Sequence, residues 1–192
     1  MNIKGLLTGL LSVSATIVPM AAPAMAGYTI DTDHGPITLM DGSEFGTYSD
    51  SAREMIYGLT EAGVPVIDGG VMDMPVCEID PESQSYTMGY YVPADNYMVI
   101  CTDNIQNEKE LMEVLTHETV HVIQDMRTGL HNDTLDGGDV QYTKSILNNI
   151  DEDHIETIYN FYDEDDYVVE LEAFYFQDKH EVVNQELAKF VF

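Results

Sequence analysis

The chain has 192 residues, with 7 basic side chains against 35 acidic ones and a net charge of −28. A surface of that sign repels nucleic acid and anionic membranes, which excludes both as partners. The same carboxylates suit a high-salt medium, where screening relieves their mutual repulsion, and they offer oxygen ligands to Ca²⁺.

In chain order, Lys4 precedes an apolar stretch from Leu6 to Val18, and Ala24-Met25-Ala26 supplies a small-x-small cleavage site. That order predicts a secretory signal peptide over residues 1–26 and a single mature domain over residues 27–192, secreted or periplasmic, with no membrane anchor once the leader is cut. Cys77 and Cys101 both fall in the mature part and, in an oxidising compartment, are expected to form a disulfide. Tyr28–Ile30 and Ile37–Met40 read as short strands around a His34-Gly35-Pro36 turn. A helix capped by Ser49 or Asp50 should run through Glu61 and stop at Gly63. Val71–Ile79, Tyr86–Val92 and Tyr97–Cys101 read as three further strands, two of them ending near the cysteines, so the disulfide should staple neighbouring strands. Asn107 then caps a helix to about Thr128, with Gly129 beyond it and an apolar stripe of Leu111, Val114, Leu115 and Val122. From Gln141 to Phe192 helical patterns are broken by acidic clusters at 151–153 and 163–166. Strands followed by helices define an α+β class.

The long helix carries His117-Glu118-Thr119-Val120-His121. Residues four apart share a helix face, so His117 and His121 present both imidazoles to one point, the nitrogen half of a tetrahedral zinc site. Glu118, about 100° further round, is placed as the catalytic base for a water that zinc acidifies. The pattern predicts a hydrolase, a zinc metalloprotease acting on peptide or protein, with the apolar stripe putting Glu118 and His121 at the border of the buried face.

Two histidines leave the site open, so a third ligand must exist. The metzincin extension requires glycine at 124 and histidine or aspartate at 127, and Gln124 and Arg127 exclude it. His131, beyond the helix stop, is one candidate. The segment Tyr167-Val168-Val169-Glu170-Leu171-Glu172-Ala173-Phe174 resembles the gluzincins, in which a second helix supplies a glutamate followed three residues later by a small residue. That resemblance implies Glu170 as the third metal ligand, Ala173 as the close-packing residue and Glu172 as the alternative. It also implies a small zincin-like domain, a short twisted sheet on the active-site helix, with peptide bound extended along a sheet edge.

Val99-Ile100-Cys101-Thr102-Asp103-Asn104, followed by HETVHVIQDMR, is similar to the family of the mitochondrial ATP-synthase assembly metalloprotease. The resemblance spans residues 99–129 and places an acid and a base, Asp125 and Arg127, after the second histidine. It implies that Asp125 orients a ligand histidine. Gluzincins also use a tyrosine or histidine toward the oxyanion, for which Tyr167, Tyr175, His154 and His180 are candidates. Segments 132–139 and 163–166 are candidate Ca²⁺ loops, though neither has EF-hand spacing. Two rival readings remain: a cell-wall amide hydrolase using the same residues, and a secreted acidic calcium- or partner-binding module with a non-catalytic metal site.

Overall fold

A computed structural model describes residues 28–32, 35–40, 49–81, 85–129 and 138–191. The expected leader, the His34 turn, His131 and most of the 132–139 loop lie outside these residues. Among the described residues the chain is α+β, with five strands and six helices. Strands β1 (Tyr28–Thr32), β2 (Gly35–Leu39), β3 (Val66–Asp68), β4 (Gly89–Val92) and β5 (Tyr97–Ile100) form one sheet in the order β1-β2-β3-β5-β4. β3 and β5 run parallel and the other neighbours antiparallel, which leaves β4 as an edge.

Helix α1 (Ser49–Glu61) ends as expected at Gly63. The Gly63 backbone adopts φ 84°, which lets its N–H reach Thr60 O and the Val64 N–H reach Leu59 O. The expected strand over 71–79 does not form. Asp73, at φ 48°, and the N–H groups of Met72 and Met74 turn the chain back on 68–70, and a single 3₁₀ turn follows over Pro75–Cys77. Pro75 has no N–H to give a ladder, and Gly69-Gly70 permits the tight reversal. Cys77 and Cys101 are joined, so the disulfide ties this turn to the end of β5 rather than stapling two strands. The strand that occupies the sheet centre is instead the short Val66–Asp68, between Pro65 and Gly69.

Helix α2 (Glu108–Thr128) is the spine of the molecule. Asn107 Oδ1 accepts from the Glu110 N–H at 3.1 Å, and Gly129 at φ 93° closes the other end. On one side α2 meets β4, β5, α1 and α6 (His180–Val191). This side builds the main core from Met55, Leu59, Met98, Ile100, Leu111, Leu115 and Leu187. On its other side lies α5 (Tyr167–Phe176), backed by α3 (Val140–Leu147) and α4 (Glu152–Phe161) over a second cluster of Ile146, Ile158, Leu171 and Phe174. The acidic clusters are helix starts: Asp139 caps α3 through the Gln141 and Tyr142 N–H groups, Asp151 precedes α4 and Asp166 precedes α5. Negative charge there complements the helix dipole.

Candidate metal centre

Because α5 covers the polar side of α2, His117, Glu118 and His121 are not at a border but buried, at 0%, 0% and 3% exposure. α5 contributes Glu170, 1% exposed, from its first turn. The three expected ligands converge. His117 Nε2 lies 3.3 Å from His121 Nε2 and 3.3 Å from Glu170 Oε2, and His121 Nε2 lies 3.4 Å from Glu170 Oε1. These separations exceed the roughly 2.7–3.2 Å of ordinary N–H···O bonds. They are close to the spacing of about 3.3 Å between ligand atoms that stand about 2.05 Å from one metal ion, with the Glu170 carboxylate turning Oε2 to His117 and Oε1 to His121. Among the described residues this is the one group of three His, Cys, Asp or Glu side chains placed to hold a metal ion, and residues 163–166 do not form another.

The charges of these buried groups act strongly on one another. Burial would push Glu170 up, but His121 and His117 override it and hold its carboxyl at about 2. Burial opposes charge on His121, yet the Glu170 carboxylate outweighs it and raises that imidazole to about 9. His117, where burial dominates, is lowered. Both carboxylate oxygens of Glu118 are sealed from solvent and make no close hydrogen bond, and burial pushes this group up to about 8 with the Tyr91 backbone N–H opposing the rise. A carboxyl buried with so few donors is costly unless a ligand or water completes it.

Glu118 faces the free edge of β4. The Cys101 N–H donates to Met88 O at 2.8 Å, so the antiparallel alternation turns the Gly89 and Tyr91 backbone groups away from β5. The Tyr91 N–H is directed at Glu118. Gly89 makes the approach possible, since a Cβ there would lie 2.6 Å from Val114 Cγ1 and 3.3 Å from Glu118 Cγ.

Other expected residues take different places. Asp125 does not orient a ligand histidine: its Oδ2 accepts from the Tyr91 hydroxyl at 2.7 Å, which fastens β4 to α2, while His121 Nδ1 lies 2.9 Å from Gln124 Oε1. One turn's spacing puts Asp125 on the β4 side of the helix and Gln124 on the α5 side. Glu172 is withdrawn from the centre by Arg127, which grips it with two 2.9 Å bonds, by the Tyr142 hydroxyl at 2.6 Å and by Gln124 Nε2 at 2.9 Å. Of the oxyanion candidates, Tyr167 packs on Tyr159, Tyr175 stacks under Lys179, His154 accepts from Gln177, and His180 opens α6. The residue that sequence reasoning missed is Tyr162. Its hydroxyl is sealed from solvent beside the Glu170 carboxylate, and burial, then Glu170 and Glu118, raise its pKa well above 10.

Fold and site together define an α+β domain with a buried His-His-Glu group able to hold a metal ion. The family described as "Domain of unknown function (DUF8637)" matches residues 49–192, and the chain belongs to it. The match takes in α1 through α6 and so the whole centre. No curated protein and no solved structure shows significant similarity to the chain.

Proposed function

We propose that the chain is a secreted zinc-dependent endopeptidase. The observation that carries this reading is the buried group of two imidazole nitrogens and the Glu170 carboxylate, gathered within metal-binding reach of one another beside the buried Glu118 carboxylate. Two nitrogens and one carboxylate oxygen suit zinc and leave a fourth position for a reactant, whereas a structural site closes with four protein ligands. A zinc ion held there supplies Lewis acidity toward a peptide carbonyl and lowers the pKa of a water.

The chain's own residues supply the rest. The outward backbone groups of Gly89 and the outward carbonyl of Tyr91 on β4 hold an extended peptide by strand addition. Glu118, next to that edge, accepts the proton of the attacking water and returns it to the leaving amine. The Tyr162 hydroxyl, kept protonated by its surroundings, donates to the oxyanion as it develops. Secretion is supported by the leader sequence and the Cys77–Cys101 disulfide; among the described residues no helix is long and apolar enough to cross a membrane. A binding module with an inert metal site has no use for Glu118, buried at a cost.

Zinc content tests the ligand set. Purified protein should hold about one zinc per chain. Glu170→Gln should lose it on dialysis against a mild chelator, while Glu172→Gln, on the far side of α5's turn, should keep it. The reverse pattern sinks the assignment.

A further inference from the structure

Gln124 is wholly buried on α2, three residues after His121. Its side-chain amide meets three neighbours: His121 Nδ1 at 2.9 Å, the Val169 carbonyl at 3.0 Å and Glu172 Oε2 at 2.9 Å. The Val169 carbonyl and the ionised Glu172 carboxylate can only accept, so the end of the amide facing them must be the NH₂ group. That leaves the amide carbonyl for His121. A carbonyl only accepts, so Nδ1 of His121 must carry a proton and donate it. Nothing else in the arrangement satisfies all three contacts at once.

We infer that Gln124 is a positioning residue for the metal centre, fixing which nitrogen of His121 faces the ion and in what plane. The inference rests on the metal reading of His117, His121 and Glu170. With Nδ1–H committed to Gln124, Nε2 is the nitrogen turned toward His117 and Glu170, 3.3 and 3.4 Å away. Gln124 cannot flip, because Glu172 would then face the amide oxygen. Glu172 cannot move, because the Arg127 fork and the Tyr142 hydroxyl hold both its oxygens. A polar chain therefore runs from Arg127 on α2 and Tyr142 on α3, through Glu172 on α5, to the back of His121. His117 is held differently. Its ring stands edge-on to Phe174 with centroids 4.8 Å apart, and the Gln177 side chain lies beside it. The relay behind His121 explains why Glu172, two residues beyond Glu170, accepts four hydrogen bonds without touching the centre.

Partners of this kind typically contribute a factor of about 10–100 in metal affinity. The test compares wild type with Gln124→Leu and with Gln124→Met, which keeps the side-chain length and volume, after thermal melts have shown both to be folded. The first readout is ¹⁵N-edited NMR of the imidazoles in metal-free protein, where wild type should show a protected His121 Nδ1–H that the Leu and Met variants lack, with His117 unchanged. The second is zinc affinity by competition with a chromogenic chelator, expected to fall about 10–100-fold in the Leu and Met variants. A His121 Nδ1–H that is equally protected in all variants, or zinc affinity untouched by Gln124→Met, overturns this inference alone. A wild-type chain that shows the protected proton but takes up no zinc overturns the metal reading and the inference with it.

Discussion

Gly89 is a position where one methyl group should cost both stability and activity. A Cβ added there would sit 2.6 Å from Val114 Cγ1, 3.2 Å from Ile100 Cδ1 and 3.3 Å from Glu118 Cγ. Carbon atoms at rest stand about 3.5–4.0 Å apart, so β4 and α2 must separate by about 1 Å. Overpacking of this kind costs about 1–3 kcal/mol, or about 2–12 °C in melting temperature for a domain of this size. The same displacement carries the β4 edge away from Glu118, and an error of about 1 Å in a reacting geometry can cost about a hundredfold in rate. Val114→Ala removes the atom of closest contact. Alone it should destabilise by about 2 kcal/mol, because Val114 is buried. Combined with Gly89→Ala it should relieve the clash, giving a favourable coupling of about 1 kcal/mol in a double-mutant cycle read by urea denaturation. Strictly additive effects, or a stable Gly89→Ala chain, would show that α2 and β4 are not locked at this contact and would refute the placement of Glu118 against the edge.

Tyr162→Phe keeps the ring against Phe174 and removes a sealed hydroxyl that makes no close hydrogen bond beside Glu170, so melting temperature and zinc content should change little. kcat should fall about 10²–10³-fold with KM little changed; a kcat equal to wild type removes Tyr162 from the reaction. Asp68, wholly buried at the end of β3, is raised above its ordinary 3.8 by burial, against the bond from the Thr102 hydroxyl. The folded chain therefore holds this proton more tightly than the unfolded one, so the group lowers stability as pH rises from the unfolded value through the raised one. Asp68→Asn, which keeps an acceptor for Thr102 and Val71, should flatten that decline in melts taken from pH 4 to 7, and parallel wild-type and variant profiles would contradict the assignment.

The centre was legible because its information is local. His117, Glu118 and His121 lie on one uninterrupted helix with a cap at each end, and helical spacing alone sets their relation. Glu170 needed a second helix and came through a family resemblance, and the structure brings it to the same point. What the sequence did not disclose depends on elements meeting across the chain. Gln124 registered there only as a departure from the metzincin pattern, because its partners Val169 and Glu172 are more than forty residues away. Tyr162 is one of twelve tyrosines, and what singles it out is the reversal between α4 and α5 that turns its hydroxyl inward. The strand at the centre of the sheet has three residues between Pro65 and Gly69, too few to show a period, whereas the alternating run at 71–79 looked like a strand and is a turn held by Pro75 and the disulfide.

Glu118 is proposed to act on a water beside a metal held by its neighbours. Glu118→Gln preserves shape and hydrogen bonding but removes the base. Zinc-loaded wild type and variant should be compared on a broad peptide library, with zinc per chain measured on the same samples. Both should hold equal zinc, and the variant should lose at least about a hundredfold in peptide hydrolysis. Hydrolysis that survives the substitution, or wild-type protein that holds zinc and cleaves no peptide in the library, would contradict this role.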